Sequence, residues 1–243
     1  MRIIKLNAID STNVFLKQLS SEEVLEDYTI VMSDLQTQGR GQMGTTWNSN
    51  KGENLMFSVF KGVSFLKPEQ HFNISMVVTL ALIGALKKFH IPKLNIKWPN
   101  DILSEGKKIC GILIENSIKQ NSFKDSIIGI GINVNQVDFN SLPKASSLHI
   151  ITGKTYNLDE LLDAFVEQFK YYFSVLEANK FDLIKEEYEL YLFRKKKPST
   201  FKDEEGCMFS GIIQSVSSTG KLQVLLEDDV IKEYDLKEIT LLY

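Results

Sequence analysis

The sequence predicts an α+β protein, because strand-like segments come in runs with helical segments interspersed. Apolar, strand-like segments occupy residues 29–35, 55–63, 94–98, 109–115 and 126–134, the last two separated by turn-like residues 119–124. Helical periodicity appears at 158–173 and 181–193. Short strand-like segments separated by turn residues fill the remainder of the chain. We therefore expect a mixed β-sheet with helices packed on it, followed by a small SH3-like β-barrel.

The first predicted helix begins at Asp10 or Ser11, whose side chain can accept a hydrogen bond from an exposed backbone N–H. It ends near the polar cluster at residues 20–23. Residues 11–13 are therefore expected at a helix N-terminus.

A second, longer helix is predicted to begin at Pro68. Phe72, Met76, Leu80 and Ile83 fall on one face of it, at steps of four and three residues. We expect this stripe to lie in the core, with no cofactor implied.

The boundary between the two parts is predicted where a basic run, residues 194–197, meets Pro198. This gives a domain at 1–196 and a second at 197–243, with strands near 208–216, 222–226, 230–234 and 239–242. The basic run could contact nucleic acid or an acceptor protein, but a solvated linker is the more common role of such a run.

Composition excludes several classes of function. The chain has 243 residues, is 43% apolar and carries a formal charge of −3, so no bulk basic field favours DNA as the main partner. The longest nearly apolar run, 76–86, is too short to span a membrane. Cys110 and Cys207 are too few for a metal quartet and suggest a reducing compartment. A cytoplasmic protein without a membrane anchor is expected.

Residues 36–44 place three glycines around Arg40, which suggests a loop that closes on an anion. The glycine spacing also matches the dinucleotide-binding fingerprint. That fingerprint must open a helix, whereas residues 45–52 are polar, β-branched and end in glycine. Nicotinamide cofactor binding is therefore disfavoured.

The segment 97–101 reads Lys-Trp-Pro-Asn-Asp. Proline removes a donor from the strand ladder, so Asn100 and Asp101 are expected to project from a loop. Asp101 could share a Mg²⁺ ion with triphosphate oxygens. The alternative is an Asx-turn that only ends the strand.

Other candidates leave similar alternatives open. One of Lys107 and Lys108 could reach inward and hold an anion at phosphorus, although composition alone favours an exposed surface pair. The glycines at 129 and 131 leave room for a ligand or for a close backbone segment, or mark a bulge. Trp47 could stack on a purine or pin the glycine loop to the core.

Taken together, the motifs at 11–13, 36–47, 97–101, 108–115 and 129–133 resemble, in order, those of the biotin protein ligases. The resemblance covers the whole chain, including the small C-terminal barrel. It is closest to the short form, which lacks an N-terminal DNA-binding domain, because the first motif begins ten residues into the chain. DNA is therefore not expected as a partner.

The resemblance implies that biotin and ATP form biotinyl-5′-adenylate, from which biotin passes to a lysine of the biotin carboxyl carrier domain of a carboxylase. Lys108 and Arg40 match catalytic positions. The implied biotin-binding residues are Ser11, Thr12, Asn13, Gln36, Gly39, Arg40, Gly41, Gln42, Lys108 and Gly111. The implied ATP-binding residues are Arg40, Trp47, Asn100, Asp101, Lys108 and Asn133, with Asp101 as the Mg²⁺ ligand.

One departure from the family concerns the glycine loop, where Arg40 is the only charged residue. Fewer charged contacts would hold the adenylate less tightly, unless Lys51 or Lys107 compensates. Two other functions remain open: a lipoate or octanoate protein ligase, and a non-enzymatic small-ligand-binding module. We expect a monomer or a weak homodimer formed through an exposed strand edge.

Overall fold

The computed structural model describes residues 1–119, 122–139 and 142–243. The strands of its first sheet are β1 Ile3–Leu6, β2 Ile30–Ser33, β3 Leu55–Gly62, β4 Leu94–Lys97, β5 Asp101–Ser104, β6 Lys107–Lys119 and β7 Ser122–Ile132. They lie in the order β1-β2-β3-β7-β6-β5-β4. The β1–β2 pair is parallel, whereas the other neighbouring pairs of the described sheet are antiparallel. The mixed sheet of the predicted α+β class is confirmed.

The predicted strands of this sheet all occur, but two strands were not predicted. β1 lies at the sheet edge and is only partly buried, and β5 follows β4 too closely to be separated by pattern. Strands β6 and β7 also extend into the predicted turn at 119–124, of which residues 120 and 121 lie outside the described part of the chain.

The helices are α1 Thr12–Glu22, α2 Phe72–Lys88, α3 Leu148–Thr152, α4 Leu158–Glu177 and α5 Phe181–Leu190. Side chains alternate along a strand, so the two faces of the sheet have different neighbours. Ile30 and Met32 of β2 belong to the main core under α2 and α4, whereas Val31 packs with Leu16 of α1. Helix α1 therefore covers the face opposite to the main core.

The predicted helix at Pro68 begins later than expected. Residues Pro68–Gln70 form a short 3-10 turn, and α2 itself begins at Phe72. The predicted stripe of α2 is buried throughout, with exposed fractions of 5% or less at Phe72, Met76, Leu80 and Ile83. Its assignment to the core is confirmed.

The N-terminus of α1 is capped by a residue that the sequence did not indicate. Ser11 is the N-cap residue, but its side chain accepts no hydrogen bond from the helix, so the predicted side-chain cap is wrong. The Asp10 carboxylate instead accepts a hydrogen bond from Thr37 Oγ1 at 3.3 Å. Gln36 Oε1 accepts the Thr12 N–H at 2.8 Å. The loop after β2 is thereby tied to the helix.

A second, five-stranded antiparallel sheet follows, with strands β8 Pro198–Asp203, β9 Met208–Val216, β10 Leu222–Leu225, β11 Ile231–Tyr234 and β12 Ile239–Leu242. Their order is β11-β10-β9-β8-β12. Strand β8 was not predicted. Trp98 Nε1 donates a hydrogen bond to the Gly220 carbonyl at 2.8 Å, and Phe201 and Ile213 share the main core. The second sheet is therefore packed against the first.

The basic run beside this sheet is engaged with its neighbours. Arg194 Nε donates to Ser199 Oγ at 2.8 Å, and Lys195 Nζ lies 2.6 Å from Glu189 Oε2. No helix within the described residues is long and apolar enough to cross a membrane.

Candidate active site

A cavity of about 370 Å³ lies on the α1 face of the first sheet. Strands β6 and β7 form its floor, and the N-terminus of α1, the glycine-rich segment and the β11–β12 connection form its walls. Twelve of the fourteen predicted site residues line it: Ser11, Thr12, Asn13, Gln36, Arg40, Gly41, Gln42, Trp47, Asn100, Asp101, Lys108 and Gly111. The structure thus brings together motifs that are far apart in sequence.

The glycine-rich segment folds back on itself as a hairpin beside the cavity. The Trp47 N–H donates to the Gly39 carbonyl at 2.9 Å, and the Gly41 N–H donates to the Thr45 carbonyl at 2.7 Å. A 3-10 turn at Gln42–Gly44 closes it, with Gly44 at a φ of 81° that favours glycine. The exposed Arg40 is carried on this hairpin.

Trp47 holds the hairpin against the floor of the cavity. A Cβ atom added to Gly131 would lie 2.5 Å from the indole, and one added to Gly111 would lie 2.9 Å from it. The two glycines therefore provide the space in which the ring lies. Within the described residues, Trp47 Nε1 is buried without a hydrogen-bond partner, so the ring can still donate to a ligand.

Buried polar side chains form the end of the cavity at α1. Asn13 Nδ2 donates to Glu115 Oε2 at 2.8 Å, and Asn13 Oδ1 lies 2.6 Å from Ser58 Oγ. Ser58 Oγ also lies 2.7 Å from Thr12 Oγ1. We call Thr12, Asn13 and Gln36, which line the cavity, the polar end; Ser58 and Glu115 contact it from outside the lining.

Charged side chains form the opposite end. Lys108 Nζ lies 2.6 Å from Asp101 Oδ1, and Lys97 Nζ lies 3.8 Å from Asp101 Oδ2. Burial lowers the pKa of Lys97; Asp101 opposes that shift, while the ammonium groups of Lys108 and Lys144 add to it. We call Asp101 and Lys108, which line the cavity, together with Lys97, which contacts Asp101 from outside the lining, the charged end; it has more positive than negative charge.

The structure distinguishes the two neighbouring lysines at the start of β6. Lys108 lines the cavity, whereas the exposed Lys107 donates to the Pro143 carbonyl at 2.6 Å. The prediction that Asp101 projects from a loop is wrong, because Asp101 begins β5 opposite Lys97. Asn100 Nδ2 donates to the Ile112 carbonyl at 2.7 Å, which ties the segment to β6.

Two predicted site residues do not line the cavity. Gly39 is a buried part of the hairpin, where an added Cβ would collide with the Trp47 carbonyl. Asn133 Nδ2 donates to the Ser146 carbonyl at 3.0 Å, and the Asn133 side chain is buried. In this structure Asn133 holds the segment before α3 in place.

Several lining or supporting residues were not predicted. Leu236 and Lys237 reach the cavity from the second sheet, a contact that no local pattern announces. Ser58 is an isolated polar residue in an apolar strand, which was the available signal for it. Glu115 ends a predicted motif but had no role assigned. Gly129, by contrast, was singled out by the sequence, and it lies under Asn13, whose Oδ1 an added Cβ would strike.

Metal ligands are sparse in this site. Among the described residues, no group of three or more His, Cys, Asp or Glu side chains could hold a metal ion. Asp101 is the acidic side chain of the cavity lining. Cys110 is buried and Cys207 is exposed, and both are free thiols.

Comparison with known families decides how the chain is classified. A model of the biotin/lipoate A/B protein ligase family matches residues 6–133, which is more than half of the chain. The chain belongs to this family. The matched part contains the glycine-rich hairpin, both ends of the cavity and the glycines of its floor.

Members of the family and solved structures resemble the chain closely. The bifunctional ligase/repressor BirA of Bacillus subtilis is 34% identical over 136 residues, which are 55% of this chain and 41% of that protein. A biotin–[acetyl-CoA-carboxylase] ligase of Paracoccus denitrificans is 34% identical over 131 residues, 51% of each chain. The match thus spans about half the length of these relatives, or less.

Similarity of structure extends over the full length. The biotin protein ligase from Aquifex aeolicus, solved in complex with biotin and ATP, superimposes with a TM-score of 0.80 at 28% identity. The alignment covers 99% of this chain and 98% of that one. The second sheet is therefore part of the shared architecture.

Proposed function

We propose that this chain is an ATP-dependent biotin protein ligase. The observation that carries the proposal is that one cavity is lined both by the polar end and by Lys108 and Asp101 of the charged end. Biotin combines a neutral cyclic urea with a carboxylate, and ATP brings a triphosphate. A site for joining them needs hydrogen bonds at one end and positive charge at the other.

In the first step a carboxylate oxygen of biotin attacks the α-phosphorus of ATP. The bond from phosphorus to the bridging oxygen breaks, and pyrophosphate leaves with the electron pair. Two anions must approach each other, so the reaction depends mainly on charge neutralisation and positioning. Lys108 is proposed to lie between the biotin carboxylate and the α-phosphate, with Arg40 on the hairpin as the second cation.

In the second step the neutral amine of a carrier lysine attacks the acyl carbon of the adenylate. The acyl–oxygen bond breaks, AMP leaves with the electron pair, and the amine loses its proton. The proposed partner is the biotin carboxyl carrier domain of a carboxylase, and the proposed location is the cytoplasm. Cover of the ligand by the glycine-rich hairpin would exclude water and limit hydrolysis of the adenylate.

The remaining assignments follow the two ends of the cavity. Ser11, Thr12, Asn13 and Gln36 are proposed to bind the urea, with the backbone from Gly39 to Gln42 covering the ligand and Gly111 allowing close approach. On the nucleotide side we place Trp47, Asn100 and Asp101, while Asn133 is proposed to support this side from beneath the floor.

Mg²⁺ is proposed to enter with ATP. Asp101 offers one carboxylate, and Asn100 Oδ1 is the amide oxygen left when Nδ2 donates to Ile112. Such a donor set suits an ion that takes most of its ligands from phosphate and water. When bound, the ion would neutralise phosphate charge, and Asp101 and Asn100 would hold it.

Biotin-dependent exchange of labelled pyrophosphate into ATP tests the proposal. We expect exchange with biotin and about a hundredfold less exchange with lipoate or octanoate. The polar end matches a urea and not the apolar dithiolane of lipoate or the alkyl chain of octanoate. Preference for lipoate or octanoate would support the related ligase function. Binding of biotin without exchange would indicate a non-enzymatic binding module.

A further inference from the structure

Two residues outside the cavity lining contact the polar end. Ser58 is fully buried in β3, and Glu115 lies on β6 at the outer side of the glycine hairpin. Each contacts a lining side chain: Ser58 contacts Thr12 and Asn13, and Glu115 contacts Asn13. The hydrogen bonds form a continuous chain from Glu115 to Thr12.

The direction of these hydrogen bonds, from donor to acceptor, is set at Glu115. A carboxylate only accepts hydrogen bonds, so the Asn13 atom that faces it at 2.8 Å must be the amide nitrogen. Asn13 Nδ2 has a second, longer contact with the Leu113 carbonyl at 3.4 Å. The amide oxygen Oδ1 therefore faces Ser58, and it can only accept.

Ser58 has one hydroxyl proton, and the orientation of the Asn13 amide decides where that proton points. Asn13 Oδ1, 2.6 Å away, requires that proton, because two facing acceptors at this distance would repel. The 2.7 Å contact between Ser58 Oγ and Thr12 Oγ1 must then use the proton of Thr12. The alternative acceptor for Thr12, Gln36 Oε1, is farther away at 3.2 Å.

Thr12, the last residue of this hydrogen-bond series, faces the cavity with its hydroxyl oxygen as an acceptor. Because its proton is directed to Ser58, Thr12 Oγ1 offers a lone pair to a ligand. Gln36 Oε1 is occupied by the Thr12 N–H at 2.8 Å, which leaves Nε2 as the donor of that side chain. An acceptor beside a donor matches a ligand group that carries N–H next to C=O.

We infer that Ser58 and Glu115 are positioning residues that orient the Thr12 hydroxyl as an acceptor and so select ligands with an N–H group at this point. The inference rests on the proposed function, since the ligand tested is the cyclic urea of biotin. Glu115 also lies 3.9 Å from Lys17 Nζ, a surface contact that is not required for the orientation.

The test compares biotin with two isosteric cyclic carbamates, each with oxygen in place of one ureido N–H. In the wild type, the carbamate that places oxygen at Thr12 should be used about a hundredfold less well than biotin, measured as kcat/KM for pyrophosphate exchange. In Ser58→Ala the Thr12 proton is no longer held, so that ratio should fall about tenfold. KM for biotin should rise while kcat changes little.

Glu115 provides a second pair of variants that does not alter the core. Glu115→Gln keeps an oxygen that can accept from Asn13 and should retain the biotin-to-carbamate ratio. Glu115→Leu removes the acceptor and should lower the ratio about tenfold, as Ser58→Ala does. Rescue by the amide variant separates orientation from mere packing.

Ser126→Ala is the matched control. Ser126 is also fully buried, lies on β7 and donates to Asn116 Oδ1 without contacting the cavity residues. Its loss should lower the melting temperature to a similar extent as Ser58→Ala but leave the ratio unchanged.

Absence of any wild-type exchange with biotin would overturn the proposed function and this inference with it. Normal wild-type exchange, together with an unchanged ratio in Glu115→Leu and in any folded Ser58→Ala protein, would overturn the inference alone.

Discussion

The polar end and the charged end of the cavity differ in how far folding completes them. At the polar end Thr12 and Asn13 are each 3% exposed, Ser58 is fully buried, and their hydrogen bonds are made within the protein. At the charged end the Lys108 side chain is 34% exposed. One end is pre-organised for a neutral group, whereas the other has cations that an incoming anion can engage.

This contrast follows from desolvation. A neutral hydroxyl or amide can be buried at little cost when it is fully hydrogen-bonded, so folding can fix it in place. Burying two ammonium groups that share one carboxylate is far more costly, so Lys108, which shares Asp101 with Lys97, stays partly solvated until an anionic ligand arrives. We expect changes at the charged end to affect the rate of chemistry and changes at the polar end to affect biotin affinity.

The strongest way to break the comparison is Lys108→Gln. Removing the cation between two reacting anions should lower the rate of adenylate formation about 10² to 10³-fold, which corresponds to about 2.7–4 kcal/mol of transition-state stabilisation. Single-turnover formation of the adenylate measures it. Lys107→Gln, at the neighbouring lysine that contacts Pro143 outside the cavity, should retain activity. Equal activity of both variants would remove Lys108 from the mechanism.

Gly129→Ala tests the polar end. The added Cβ would strike Asn13 Oδ1, so the amide must move away from Ser58, and KM for biotin should rise about tenfold or more. Adenylate formation at saturating biotin should change much less. Gly84→Ala is the control, because its nearest atom is Oε1 at the end of the long Gln168 side chain. A fall in kcat with KM preserved would contradict the assignment of this end.

Gln42→Arg sharpens the role of charge on the hairpin. The predicted compensation by Lys107 is not supported, since Lys107 contacts Pro143, although Lys237 lines the cavity from the second sheet. A second arginine beside the cavity should add a charge-assisted contact of about 1.5–3 kcal/mol and slow adenylate dissociation about tenfold or more. Stopped-flow release of labelled adenylate measures it. A wild-type rate already as slow as that of relatives with more basic loops would contradict the prediction.

Lys97 gives the smallest effect, a pH-dependent one. The pKa of Lys97 is lowered in the free protein. At a pH just below 10.5, the ordinary pKa of lysine, more of the Lys97 side chains are therefore neutral than in an unperturbed lysine. A bound triphosphate favours the ammonium form and raises the pKa, so ATP binding should take up a fraction of a proton at that pH. Calorimetry in two buffers with different ionisation enthalpies measures this uptake. Persistence of the uptake in Lys97→Met would assign it to another group.

The sequence predicted most of the fold because buried strands and helices carry their pattern locally. The central strands of the sheet and the stripe of α2 are continuous or periodic in apolar residues. Strands β1 and β5 were missed because each has only four residues, and β8 was missed because it begins with a proline and is mostly polar.

The site was predicted through its motifs, whereas its hydrogen bonds were not. Asn13 pairs with Ser58 and Glu115, which lie 45 and 102 positions away in sequence, and no local signal connects them. The side chain that accepts a hydrogen bond from the first turn of α1 is likewise distant in sequence: it is Gln36, and not the N-cap residue Ser11. Lys237 reaches the cavity because the two sheets pack together, which composition does not reveal.

Transfer of labelled biotin to a purified biotin carboxyl carrier domain tests the central claim most directly. The account predicts that label appears on a carrier lysine only with ATP present, that lipoate does not replace biotin, and that Lys108→Gln abolishes the transfer while Lys107→Gln does not. Absence of label on the carrier with the wild-type protein, or equal labelling by the two variants, would contradict it.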